Sequence, residues 1–260
     1  MWYKNLTIKF KKDGFGCQLN AKLSGLAFCE NHINYRYVHT PFTDVSHGCN
    51  ASKDYIDKIN TFVGIPDNRK GKKIHVAMTH CSQVFNNPSR WWNNKSLEKI
   101  RGYYWTNEKP YCMPDIVVHI RRGDIHRKRT DGEILRFIPN SWYNKHIPII
   151  ADKYPDHFMI DIFSEGKISD FLNITKNWPK DLKQRTRFNI SEPDDINSEF
   201  DVLTAFHHMV CAKVFVQAKS GLSYTAGLYN ENHVYFLTGS RAMGQHTPLK
   251  HWFDYTRKPL

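Results

Sequence analysis

Two adjacent arginines, a glycine and an aspartate, Arg121-Arg122-Gly123-Asp124, stand directly behind the apolar run Ile116-Val117-Val118-His119-Ile120. A guanidinium keeps its charge at any ordinary pH and presents a planar fork of N–H donors, so the pair suits an oxyanion and a phosphate above all. The run before it has the β-branched composition of a strand covered on both faces, and Pro114 bounds it in front. Open α/β sheets bind their ligands at the carboxyl ends of such strands. The competing reading makes both arginines surface charges behind a core strand, one of them paired with Asp124.

Other stretches also set polar groups at strand ends. Leu6-Thr7-Ile8-Lys9-Phe10 alternates like a short strand, and Asp13-Gly14-Phe15-Gly16 follows it as a turn. Leu19, Leu23, Leu26 and Ala27 then recur at helical spacing, which puts the glycines at a helix N-terminus with exposed N–H groups. Such turns cradle phosphates, and they also occur where a connection merely has to be tight. Ser164-Glu165-Gly166 ends a strand predicted over 158–163, and Lys219-Ser220-Gly221-Leu222-Ser223-Tyr224 opens a helix predicted to run through Tyr229. His119, two residues before Arg121, shares its strand face and is either a support for the turn or an ordinary core histidine.

The elements that carry these turns alternate in type. Strands at 6–10, 33–37 and 73–78, with helices behind the first turn and over 55–62, give a β-α-β-α-β first half. The aromatic, Asn- and Lys-rich stretch 79–114 marks a junction, with one helix around Leu97 and Ile100; Trp91 and Trp92 there read as core rather than as a sugar platform. The second half has strands at 116–120, 158–163, 187–190, 213–216 and 234–237, the last closing the sheet. Helices are expected behind a Ser141 cap as far as Lys153, and behind a Ser198 cap with Asp201 three residues on. No repeat or low-complexity segment interrupts this α/β order.

A chain of 260 residues, 40% hydrophobic, can bury one large core or two small ones. Its net charge of +12 asks for an anionic partner: nucleic acid, an acidic membrane surface or a phosphorylated small molecule. The basic residues are scattered apart from Lys9, Lys11 and Lys12 and the group Arg127, Lys128 and Arg129, which weighs against nucleic acid. Six cysteines without a CxxC pair carry no zinc or redox motif; most are expected to be reduced and several to be core. The G-x-x-x-x-G-K-S/T loop of P-loop phosphate enzymes does not occur. Neither a signal-like apolar run at Met1-Trp2-Tyr3 nor a span of the ~20 apolar residues a bilayer requires is present. The expectation is a soluble cytoplasmic protein, or the catalytic portion of a longer one. The sequons at Asn5, Asn50, Asn94, Asn173 and Asn189 are then chance occurrences in an Asn-rich chain.

His119-x-Arg121-Arg122-Gly123-Asp124 resembles the H-x-R-R-G-D signature of the α1,2- and α1,6-fucosyltransferases and protein O-fucosyltransferases. Gly14-Phe15-Gly16-Cys17-Gln18-Leu19 is similar to that superfamily's N-terminal G-x-G-N-Q turn, with Cys17 in place of asparagine. Lys219 to Tyr224 is similar to its late S-S-F-S turn, with Gly221-Leu222 in place of Ser-Phe, and the order of the three motifs agrees over most of the chain. The resemblance implies two Rossmann-like domains of the GT-B type with a cleft between them, an acceptor-side domain over 1–113 and a donor domain over 114–260. It implies an inverting transfer from a nucleotide diphosphate sugar to a glycan hydroxyl, with no metal and no other cofactor. GDP-fucose is the first donor expected and a UDP-sugar such as UDP-xylose the alternative. The partners would be that donor and an oligosaccharide or glycoprotein acceptor, with no nucleic acid and no transmembrane segment.

Carried onto this chain, the resemblance makes Arg121 the main contact of the leaving diphosphate. A guanidinium about 4 Å from a unit charge is worth about 4 kcal/mol at an effective dielectric of about 20. Realised only as the glycosidic bond breaks, that is about three powers of ten in rate. Arg122 supports Arg121, and His119, Asp124, Glu165, Ser220, Gly221 and Ser223, with Gly14, Phe15 and Gly16 of the first turn, complete donor binding. Asp13, where some members of the superfamily carry a catalytic carboxylate, is the expected general base. Asp124 is the second choice, since two neighbouring arginines hold a carboxyl too acidic for that work. The rival from another class is a non-enzymatic binder of nucleic acid or of a phosphorylated glycan.

Overall fold

Every strand pairing among the described residues of the computed structural model is parallel, as buried apolar runs joined by helices require. The structure describes residues 3–9, 12–46, 52–69, 74–77, 84, 87–123, 125, 134, 136–191, 202–236, 249 and 252–254. The chain divides into two units, Met1–Tyr111 with Gly244–Lys250, and Cys112–Met243 with His251–Leu260. No helix among the described residues is long and apolar enough to cross a membrane.

The first unit contains β1 (Lys4–Ile8), α1 (Phe15–Glu30), β2 (Tyr35–Tyr37), α2 (Lys53–Val63), β3 (Ile74–Ala77), α3 (Pro88–Trp91) and α4 (Asn94–Tyr104). Its sheet has the order β2-β1-β3, with Leu6 opposite Tyr37 and Ile8 opposite Ala77. The spacing of Leu19, Leu23 and Leu26 suggests a single apolar face on α1, yet Gln18, Asn20, Lys22 and Ser24 between them are buried too. The reason is packing on more than one side: α1 lies against β1 and β2 and also against α4. It approaches β1 so closely that a Cβ on Gly25 would stand 2.6 Å from the Ile8 side chain. Trp91 and Trp92 are core residues. Ile33 lies outside β2 and is exposed, and Phe10 falls outside the described residues.

The second unit contains β4 (Ile116–Ile120), α5 (Asn140–Ala151), β5 (Ile160–Glu165), a 3-10 turn (Ile168–Asp170), α6 (Lys180–Gln184), β6 (Thr186–Ser191), α7 (Val202–Cys211), β7 (Val214–Val216), α8 (Gly221–Tyr229), β8 (His233–Phe236) and β9 (Phe253–Asp254). The sheet order is β6-β5-β4-β7-β8-β9. The chain winds outward from β4 through β5 and β6, then returns to the other side of β4 with β7, so the strand order reverses between β4 and β7. Ile116, Val118 and Ile120 face a core completed by Tyr143, Ile147 and Ile150 of α5 and by Trp178 and Leu182. On the opposite face α7 packs on β4 and α8, and the Phe163 ring lies 5.1 Å from that of His208.

Several sequence expectations change here. The sheet is not closed by β8, because β9 adds a further parallel strand beyond it. Helix α5 starts at Asn140 behind Pro139, so Ser141 lies in its first turn and is not the cap. Strand β5 begins at Ile160 and runs through Glu165, which pairs with Ser191. Asp161, in the middle of that strand, is buried and held by Arg187 through bonds of 2.7 and 2.8 Å. The turn at 168–170 and helix α6 have no counterpart in the sequence reading. Ser198 and Asp201 lie outside the described residues.

Candidate functional site

At the carboxyl end of β4 the two arginines part company. Alternation along an extended chain sends neighbouring side chains to opposite faces of the sheet. Arg122 has the parity of Ile120 and is almost fully buried. Its Nη1 donates to Arg121 O at 2.8 Å, and its Nη2 donates to Ile138 O at 2.8 Å and to Asn140 Oδ1 at 2.5 Å. Its guanidinium also lies 4.2 Å from the Phe137 ring centroid. Asn140 in turn donates to Asp170 O and Asn173 Oδ1, at 2.6 and 2.7 Å. Arg122 therefore fastens the segment that enters α5 to the end of β4.

Arg121 has the parity of His119 and is half-buried at the mouth of the strand. His119 is buried, and its Nδ1 shares a hydrogen bond with Ser223 Oγ in the first turn of α8. Burial, and then the charge of Arg121, push the His119 pKa down to about 3, so the ring is neutral. Ser223 Oγ also accepts the Ala218 N–H at 3.1 Å, while the Ser223 N–H donates to Ser220 Oγ, the helix cap, at 3.1 Å. Ser220 and Ser223 are thus interior groups, and their hydroxyls shape the turn between β7 and α8. His119 is both the core residue and the support that its position allows, because it ties β4 to α8 across the point where the strand order reverses.

Gly123 has φ +73°, the left-handed region that favours glycine. A Cβ there would stand 2.3 Å from Glu165 Oε2, so the Glu165 carboxylate lies over the Gly123 backbone. Ser164 Oγ donates to Ile120 O at 2.7 Å and holds the ends of β4 and β5 together. His119, Arg121, Arg122, Gly123, Glu165, Ser220, Gly221 and Ser223 accordingly meet at one edge of one sheet. Lys219, whose pKa burial lowers, belongs to the same edge. A permanent cation beside a helix N-terminus can hold a phosphate or diphosphate.

No protein-family model, curated protein or solved structure matches this chain.

The first-unit residues form a turn of their own. The Gly14 N–H donates to Asp13 Oδ1 at 2.8 Å. Gln18 Nε2 donates to Asp13 O at 2.7 Å and to Asp44 O at 2.8 Å, and the Ser46 N–H reaches Asp13 O at 3.0 Å. Gln18, buried in α1, thereby clamps the turn against residues 44–46. Gly14 precedes α1 without a side-chain cap, Gly16 is inside the helix, and Phe15 is a core residue whose ring lies 5.8 Å from that of Phe42. Asp124 lies outside the described residues.

Two clusters escape a reading of motifs. In the first unit, burial and then Arg69 push the Lys22 pKa down to about 8, and its Nζ donates to Thr40 O. His39 beside it is held near 3 by burial and then by Lys22. In the second unit Cys112, His207 and Cys211 bring three donor atoms within 4.8 Å of one another. The bond with Cys211 pulls Cys112 down to about 5 against the effect of burial, and the same bond, with burial, pushes Cys211 up. The one local sign of this cluster is the four-residue spacing of His207 and Cys211 on a helix.

Proposed function

We propose that the chain is an inverting, metal-independent glycosyltransferase that moves a sugar from a nucleotide diphosphate to a glycan hydroxyl, with GDP-fucose as the first donor and UDP-sugars such as UDP-xylose as the second. The observation that carries this reading is the division of labour at the end of β4. Arg122 is bound inward by three hydrogen bonds, and Arg121 stands at the edge of the sheet, two residues beyond the His119 that bonds the first turn of α8.

Each unit is taken as a Rossmann-like domain of a GT-B enzyme, the second holding the donor and the first supplying the acceptor side. The strand order β6-β5-β4-β7-β8-β9 supports this for the second unit, since it is the doubly wound order with the ligand edge at β4 and β7. As the glycosidic bond breaks, the diphosphate gains charge. Arg121 and the first turn of α8 would stabilise that charge without reorganising. Glu165 would accept hydrogen bonds from the base or ribose. Asp13 would take the proton of the acceptor hydroxyl as it attacks from the opposite side of the sugar.

The test is thermal denaturation with GDP, UDP, ADP and their sugars, without added Mg2+ or Mn2+. A ligand at a hundred times its dissociation constant stabilises by about 2.7 kcal/mol, which a melting curve resolves. Donor turnover should fall by about a thousandfold in Arg121→Ala while the fold persists. Turnover at the wild-type level in that variant would refute the assignment. The net charge of +12 favours one rival, a non-enzymatic binder of nucleic acid or of a phosphorylated glycan. That rival gains if no nucleotide sugar shifts the melting curve and polyanion binding weakens steeply with salt.

A further inference from the structure

The amino edge of the second sheet, opposite the Arg121 edge, gathers soft donors that the glycosyltransferase reading does not use. Their meeting follows from the pairing of β4 with β7. Ile116 lies opposite Val214, and beyond that pair the Val214 N–H donates to Asp115 O at 2.8 Å and the Lys213 N–H to Pro114 O at 3.0 Å. Cys112 lies four residues before Ile116 and Cys211 three before Val214, so the pairing brings the two chain segments together at the amino ends of the strands. His207, one turn before Cys211 on α7, presents its ring on the same helix face.

We propose that Cys112, His207 and Cys211 bind Zn2+ at the amino edge of the second sheet. All three donor atoms lie within 4.8 Å of one another, and Cys211 Sγ is 3.6 Å from His207 Nε2. Zinc bonds of about 2.3 Å to sulfur and about 2.0 Å to nitrogen, set at tetrahedral angles, separate adjacent donors by about 3.6 Å. The ligand set also selects the metal. Two thiolates and an imidazole suit zinc, whereas magnesium and calcium take oxygen ligands.

On binding, each thiol releases its proton to solvent, two Zn–S bonds and one Zn–N bond form, and the two thiolates balance the charge of the ion. The ion would join the segment before β4 to the end of α7, bracing from below the strand pair whose upper ends carry Arg121 and α8.

The experiment uses the full chain, isolated under reducing conditions without a histidine tag and titrated with Zn2+ and with Co2+. The expected result is one zinc per chain, a melting temperature that rises until one equivalent is added, and the strong visible absorption of Co2+ in a tetrahedral thiolate site. Cys112→Ser should abolish the absorption, and Cys29→Ser, which alters a buried thiol of the first unit, should leave it intact. Failure of the wild-type chain to take up one equivalent overturns the site, as does cobalt absorption that survives Cys112→Ser. So does a Cys112–Cys211 disulfide found by peptide mapping of protein isolated without added thiol. Donor binding is read separately, so loss of the metal site and loss of the glycosyltransferase reading are distinct outcomes.

Discussion

Truncating Arg122 to alanine separates the two arginines by what each one holds. The side chain makes three hydrogen bonds, to Arg121 O and Ile138 O at 2.8 Å and to Asn140 Oδ1 at 2.5 Å, and covers Phe137. A bond from a charged donor contributes about 1.5–3 kcal/mol. Simple addition overshoots, because burying a guanidinium costs desolvation, as its lowered pKa shows, and because water can reach part of the vacated space. The net loss in Arg122→Ala should be about 3 kcal/mol, comparable with breaking a buried ion pair. With a urea slope of about 1–3 kcal/mol per molar, the unfolding midpoint falls by about 1–3 M. Hydrogen exchange should accelerate over residues 137–151, the segment that Arg122 fastens. Arg121→Ala should show the converse, a smaller loss of stability than Arg122→Ala and a donor turnover lowered by about a thousandfold. If Arg122→Ala melts like the wild type and loses turnover as Arg121→Ala does, the roles are reversed and the parity argument fails.

Four further substitutions test the same edge and the Asp13 turn. Gly123→Ala should cost about 1–2 kcal/mol for a left-handed backbone. In a Glu165→Ala background the clash with the carboxylate disappears and the backbone cost remains, so a neutral effect there would sink the conformational argument. His119 stays neutral in the folded protein to about pH 3, whereas in the unfolded chain it protonates near pH 6.5. Between those values the unfolded state holds the extra proton, so stability falls as pH drops, by up to about 1.4 kcal/mol per pH unit. His39 adds a similar slope from the first unit. His119→Asn, able to keep a bond to Ser223, should flatten the dependence in urea melts between pH 7 and pH 5; an unchanged slope counts against a neutral buried ring. Asp13→Asn preserves an oxygen for the Gly14 N–H and so should keep fold and donor binding while turnover drops by about 10²–10⁴. Turnover that survives places the general base elsewhere.

The elements were legible where composition and period agree. β4 is an uninterrupted β-branched run but for His119 and is buried at every position, and its polar end falls where Arg121-Arg122-Gly123 predicts a turn. β9 was not legible, because two residues, Phe253 and Asp254, are too few to show a period and become a strand only by pairing with β8. The zinc-type cluster was hidden for a related reason. Cys112 and Cys211 are far apart in the chain, and only the pairing of β4 with β7 brings them together.

Within the candidate site, residue types alone could not separate the groups that face a ligand from those that build the place for it. Ser220 and Ser223 have hydroxyls that could serve a phosphate, but a serine at a helix start serves equally well as a cap, and here Ser220 does so while Ser223 joins Ala218 to His119. Phe15 stands in the first turn and points into the core. Arg122 carries the same charge as Arg121 and lies on the other face of the strand. The parity of β4 distinguishes the two arginines before any contact is measured. One step on from Ile120, Arg121 takes the face of His119; two steps on, Arg122 takes the face of Ile116, Val118 and Ile120, which packs on the α5 core.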